Sequence, residues 1–139
     1  IQFTMKFYIS AKWNLKETVE KMRDYLLKQG YELTADWTTR AFARDYAQFK
    51  KSSDYAEEEV RAILGADVLI HLSDGRGGKG KYVDLGIGLA GNRLSNRPKL
   101  IYIIGDPANE SQFYFHRSVN RIVDRNPLEA LEKILYSLD

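Results

Sequence analysis

Short apolar runs alternate along the chain with segments in which apolar residues recur every three or four positions. The runs are rich in β-branched and aromatic residues and predict strands near residues 6–10, 31–35, 67–72, 99–104 and 120–123. The intervening segments predict helices at residues 14–30, 54–65 and 82–94 and from 127 onward. The pattern predicts a single α/β domain over residues 1–139, with a doubly wound (flavodoxin/Rossmann-like), mostly parallel sheet of four to five strands and helices on both faces.

Polar residues at the helix starts refine these boundaries. Asn14, with Glu17 three positions later, predicts an N-cap and its partner for the first helix. Asp54 predicts the N-cap of the second helix, and Gly65 its end. Residues 38–53 mix aromatic and basic side chains, which fits either a short amphipathic helix or a flap over the site.

Composition narrows the classes of function. The chain has no cysteine, which excludes thiol catalysis, thiolate metal sites and disulfides. Its 21 basic and 19 acidic residues give a net charge of +2, too small for a dedicated nucleic-acid binder but compatible with a small phosphorylated ligand. The sequence has neither an apolar run of membrane-spanning length nor a signal-peptide pattern, which predicts a cytoplasmic protein without membrane contact. The four residues before Met5 are expected to be extraneous to the fold.

The stretch from Ala66 to Gly91 is the candidate site. An apolar strand there gives way to a glycine-dense loop and then to a helix that carries Asp84. Loops at the carboxyl ends of parallel strands are where α/β proteins bind ligands. We therefore expect Gly75, Gly78 and Gly80 to lie against a ligand.

The same loop permits a second interpretation. Residues 75–81 match the phosphate-binding pattern G-x-x-x-x-G-K, but Tyr82 stands where a serine or threonine would hold magnesium. This departure argues against a nucleoside triphosphatase. Phosphate binding by loop N–H groups with Lys79 or Lys81 stays open.

Four segments together resemble the nucleoside 2-deoxyribosyltransferase superfamily, including its nucleotide N-hydrolases, over Lys6 to Ile104. They are FYISAK, YELTADWT, EEEVRAILGADVLIHLSD and GKGKYVDLGIGLA. The resemblance implies that Asp84 is the nucleophile at C1′ of the sugar, although the family usually has glutamate there. It maps the second carboxylate onto Glu59, and Asp74 is the other candidate for protonating the base or ordering a hydroxyl.

The resemblance also implies substrate-binding residues. Ser10 and Lys12 would contact a 5′-phosphate, and Tyr8, Trp37 and Tyr82 are candidates for stacking on the base or sugar, although aromatic residues beside a sheet are often structural. His71, inside an apolar strand, is expected to be a buried structural residue. His116 has no second histidine at ligand spacing, so we expect neither a metal nor another cofactor. The resemblance further implies a homodimer or larger homo-oligomer, for which residues 113–117 would suit the contact surface.

Two functions remain open from the sequence. The first is a nucleoside or nucleotide N-glycosidase or deoxyribosyltransferase, because a carboxylate below C1′ stabilises the positive charge that develops as the N-glycosidic bond breaks. The second is a catalytically weakened module that binds a nucleotide in the same pocket. It is suggested by the shorter aspartate, because a displacement on the order of 1 Å can cost about a hundredfold in rate. In both cases the partner is a small nucleoside or nucleotide, not nucleic acid.

Overall fold

A computed structural model describes residues 4–40, 49–75, 78–106 and 110–138. Its centre is a five-stranded parallel sheet with strand order β2-β1-β3-β4-β5. The strands are β1 (Lys6–Ser10), β2 (Glu32–Leu33), β3 (Val68–Leu72), β4 (Leu100–Ile104) and β5 (Val119–Ile122). The predicted doubly wound α/β fold is confirmed.

Four helices cover the sheet. They are α1 (Lys16–Lys28), α2 (Phe49–Gly65), α3 (Lys79–Ser95) and α4 (Pro127–Leu138). Helices α1 and α4 pack on each other, and α2 packs on α3. At Gly88 of α3 an added Cβ would lie 2.4 Å from Leu69 Cδ2, so the absence of a side chain lets the helix approach β3 closely.

Three helix starts differ from the prediction. Asn14 lies in a short 3₁₀ turn (Trp13–Leu15), and α1 begins after Leu15 without a side-chain cap. Helix α2 begins at Phe49, so Asp54 lies inside it and does not cap it. Helix α3 begins at Lys79, because Gly78 takes the left-handed conformation (φ +74°) that ends the loop. Part of the ambiguous segment 38–53, residues 41–48, lies outside the described residues.

The strand order places a topological switch point between β1 and β3. Every residue of β3 and the last four residues of β1 are buried, as expected for parallel strands covered on both faces. In this fold, ligands bind at the carboxyl ends of the strands beside such a point. Within the described part of the chain, no helix is long and apolar enough to cross a bilayer.

Candidate active site

Asp84 lies at this switch point, against the end of β1. Ser10, the last residue of β1, donates a hydrogen bond from Oγ to Asp84 Oδ2 over 2.8 Å. The aspartate is only 6% exposed and is the sixth residue of α3. Because the first-turn N–H groups of α3 lie earlier in the helix, Asp84 is not simply a helix cap.

The surroundings of Asp84 favour its protonated form. Burial and the nearby negative charge of Glu59 raise the pKa of Asp84 to about 7, although the Ser10 hydrogen bond and the Arg40 charge oppose this rise. The two carboxyl groups are close enough for a hydrogen bond between them to contribute to the higher pKa. We call Asp84 and Glu59 the acid pair. At neutral pH the acid pair can therefore hold one proton, the condition under which two carboxyl groups act as acid and nucleophile.

Glu59 is held from the other side by a residue that the sequence analysis did not identify. Arg40 donates from Nη1 to Glu59 Oε1 over 2.7 Å, and its Nη2 lies 3.0 Å from Glu58 Oε1. The guanidinium also lies over the Tyr55 ring, 4.4 Å from its centroid. No local pattern marks Arg40, because its partners are 18 and 19 positions away in the chain.

Tyr8 adjoins the acid pair, in keeping with its predicted place at the site. It is 1% exposed, and burial together with the charges of Asp84 and Glu59 raises its pKa well above the usual value. The hydroxyl therefore stays protonated and can donate a hydrogen bond.

A second group of predicted residues forms a rim around the start of α3. Lys12 Nζ lies 4.0 Å from Asp74 Oδ2, and the Asp74 side chain is half exposed. A Cβ at Gly78 would lie 2.3 Å from Lys12 Cγ, so only glycine lets the lysine pass. Gly75 and Gly80 are exposed beside them. Asp74 thus lies at the surface, whereas Glu59 lies beside Asp84.

Lys81 occupies a different position from that expected of a phosphate-binding loop lysine. Its side chain is fully buried; Nζ lies 3.3 Å from Glu110 Oε2 and donates to the Gly75 carbonyl over 3.2 Å. The reason is the register of α3, which turns this position toward the sheet. Tyr114 donates to the same Glu110 oxygen over 2.7 Å, and His71 Nε2 lies 2.6 Å from the Tyr114 hydroxyl. We call these four residues the lysine network.

The lysine network keeps His71 neutral. Burial and the charge of Lys81 lower the pKa of His71 to about 3. Because the Tyr114 hydroxyl donates to Glu110, it accepts from His71, which makes Nε2 the protonated ring nitrogen. His71 is completely buried, as predicted from its place in an apolar strand.

Two of the predicted stacking aromatics make contacts within the protein. Trp37 is 9% exposed and donates from Nε1 to the Ile9 carbonyl over 2.7 Å. The Tyr82 ring lies 6.1 Å from the ring centroids of both His71 and Tyr114. Among the described residues, no group of three or more histidine, cysteine, aspartate or glutamate side chains could hold a metal ion.

Neither family models nor curated proteins match this chain. Solved structures do: the CMP N-glycosidase BcmB of Clostridium botulinum aligns with a TM-score of 0.65 and 16% identity, over 93% of this chain and 97% of that one. At this identity the likeness shows the fold alone. It agrees with the doubly wound α/β fold described above, over nearly the whole length of both chains.

Proposed function

We propose that this protein is a nucleotide N-glycosidase that cleaves the bond between C1′ and the base through Asp84. One observation carries the proposal: a buried aspartate at the switch point of the sheet is adjacent to a second carboxylate, so that its pKa lies near neutrality. Placing the Glu59 carboxyl group, which is about one third exposed, beside the buried Asp84 costs stability, and such arrangements are concentrated at catalytic sites. The similarity to a CMP N-glycosidase in fold agrees with this chemistry.

In the first step, an Asp84 carboxylate oxygen forms a bond to C1′ as the bond from C1′ to the base nitrogen breaks. The bonding electron pair leaves with the base, which needs a proton. Glu59 holds the proton of the acid pair and donates it to the base. At the end of this step Glu59 is a carboxylate and Asp84 is an ester. The products are the free base and a sugar ester of Asp84.

In the second step, water attacks C1′ and releases Asp84 as a carboxylate. Glu59 accepts a proton from that water, which restores an acid pair with one proton. Such a two-step reaction retains the configuration at C1′ when water is the acceptor. If a second base replaces water, the same intermediate gives a deoxyribosyltransferase.

The rim around the start of α3 suits a 5′-phosphate. The first N–H groups of a helix attract anions, and Lys12 adds a positive charge at the rim. Lys79 and Gly80 are exposed in the first turn of the same helix. A nucleoside 5′-monophosphate could then place its phosphate at the rim and its C1′ toward Asp84.

The decisive experiment is incubation of the purified protein with a panel of nucleosides and 5′-monophosphates, with free base measured by chromatography. We expect release of base from a monophosphate, abolished in Asp84→Asn and reduced at least tenfold in Glu59→Gln. Lys12→Met should raise KM for the monophosphate more than for the matching nucleoside. Arg93→Gln, at the far end of α3, is the matched control.

The pH profile gives a second criterion. Base release should decline as pH rises through about 7, because Asp84 then loses the proton that the acid pair must supply. Tight binding of a nucleotide without release of base would favour the alternative of a nucleotide-binding module. Release that persists in Asp84→Asn would refute Asp84 as the nucleophile.

A further inference from the structure

Arg40 contacts Glu59 of the acid pair and lies in none of the four segments that carry the resemblance. We propose that Arg40 is a positioning residue, whose guanidinium holds the Glu59 carboxylate beside Asp84. This inference rests on the proposed function, since its object is the acid pair. It adds a residue to the site without requiring that Arg40 touch the substrate.

The Arg40 guanidinium is held by three residues of α2, an arrangement that we call the clamp. The Arg40 side chain is 11% exposed, and its two terminal nitrogens face Glu59 and Glu58, which are consecutive residues of α2. The Tyr55 ring, one turn earlier in the same helix, lies against the flat face of the guanidinium at 4.4 Å. Three contacts to one helix fix the guanidinium in direction as well as distance, which a lysine could not reproduce.

The clamp also carries an energetic cost that a purely structural arginine would avoid. Arg40 Nε and Nη2 are buried, and among the described residues neither forms a hydrogen bond of normal geometry, although Nη2 is in an ion pair with Glu58. Buried donors without partners are unfavourable and are usually retained where function requires them. The cost is consistent with a residue placed to serve Glu59.

The charge of Arg40 also acts on Asp84. The groups that face Asp84 are Ser10 and Tyr8 from β1, Glu59 from α2 and Arg40 itself, with Glu58 behind them at Arg40. Of these described groups, only Arg40 is a cation. Without it, Asp84 would face uncompensated carboxylates and should hold its proton to higher pH.

The test compares Arg40→Gln and Arg40→Lys with Arg61→Gln, which removes the same charge from an exposed pair on α2. The first measurement is the pH profile of kcat and KM for base release. The second is the pH titration of the Asp84 carboxyl by carbon NMR, with the signal assigned through Asp84→Asn. The second measurement does not depend on substrate.

For Arg40→Gln we expect kcat to fall about tenfold or more with little change in KM, because Glu59 is no longer aimed at its partner. The Asp84 titration and the declining limb of the profile should move upward by about half a pH unit. Arg40→Lys should restore the position of the limb but only part of the rate, and Arg61→Gln should match the wild type.

The proposal is overturned if Arg40→Gln leaves the Asp84 titration unmoved, or if it lowers kcat equally at every pH while Arg40→Lys restores nothing. Failure of the proposed function looks different: the wild type then releases no base, yet the NMR titration still reports whether Arg40 acts on Asp84. The two ideas can therefore fail separately.

Discussion

Two polar clusters lie next to each other at the carboxyl ends of β1 and β3, and they differ in how well their charges balance. Ser10 and His71 are paired across the two strands; Ser10 contacts the acid pair and His71 belongs to the lysine network. The lysine network sets one cation, Lys81, against one carboxylate, Glu110. At the acid pair, by contrast, one arginine faces three carboxylates within the described part of the chain, and two of them, Glu58 and Glu59, reach the surface.

Under the proposed function, this difference in charge balance distinguishes a structural cluster from a reactive one. In a buried network whose charges balance, proton exchange near neutral pH is not favoured. The pKa of His71 is about 3, far below neutral pH. An unbalanced cluster holds a proton loosely at the pH at which a cell works, which is what acid and base catalysis requires. The lysine network instead fixes the loop, because Lys81 holds the carbonyl of Gly75.

The largest effect should come from breaking the balance of the lysine network. Glu110→Gln leaves the Lys81 ammonium buried without its carboxylate, and loss of one partner of a buried ion pair typically costs about 3–5 kcal/mol. We expect a corresponding drop in the free energy of unfolding, measured by urea denaturation. The double variant Lys81→Met with Glu110→Leu should regain much of it. A Glu110→Gln protein as stable as the wild type would mean that water reaches Lys81.

At the acid pair, removal of a carboxylate should instead raise the free energy of unfolding. The folded-state pKa of Asp84 is raised from 3.8 to about 7, so folding favours the protonated form and the wild type loses stability as pH rises through this window. Asp84→Asn cannot ionise and keeps an oxygen to accept from Ser10. The variant should match the wild type near pH 4 and exceed it at pH 8 by up to about 4 kcal/mol.

Paired denaturation curves at a series of pH values measure this difference directly. Because His71 changes stability in the opposite direction over much of the same range, only the difference between the two proteins isolates Asp84. A difference that does not change with pH would show that folding leaves the pKa of Asp84 at its ordinary value. The contrast between the clusters would then disappear.

Most of the secondary structure could be predicted from the sequence, whereas some helix boundaries could not. The strands follow from local patterns, because β3 and β4 are almost wholly apolar and each is followed or preceded by helical spacing. The predicted starts of α2 and α3 are wrong, since residues 50–53 are polar and Gly80 disfavours a helix by its own propensity. Tertiary contacts decide those boundaries.

The candidate site was predicted only where one short segment carries it. Asp84 stands in a recognisable segment, so its place in the helix after the glycine loop follows from the sequence, although its catalytic role stays a prediction. Arg40 and Glu110 were missed because their importance lies in pairs that span 19 and 29 positions of the chain. Lys81 illustrates the same limit: it lies on the buried face of α3, and its partner Glu110 is not revealed by any local pattern.

A smaller effect is expected from Tyr114→Phe. The substitution removes the hydroxyl that joins His71 to Glu110, leaving a buried His71 N–H without an acceptor, at a cost of about 1–3 kcal/mol. The loss of stability should be similar at pH 6 and pH 8, because His71 stays neutral throughout. Tyr136→Phe, at an exposed tyrosine of α4, serves as the control. A loss confined to one end of that range would show that the network titrates after all.

The smallest expected effect comes from removing one hydrogen bond at the acid pair. Ser10 donates to Asp84 over 2.8 Å and thereby stabilises the charged carboxylate, so Ser10→Ala should raise the pKa of Asp84 further. A hydrogen bond to a charged group is worth about 1.5–3 kcal/mol, which corresponds to a shift of about one pH unit or somewhat more. Carbon NMR of the Asp84 carboxyl measures it, with Ser73→Ala, whose hydroxyl donates to a backbone carbonyl, as the control. If the titration stays in place, then Ser10 holds Asp84 in position without tuning its charge, and the electrostatics of the acid pair depend on Glu59 and Arg40 alone among the described residues.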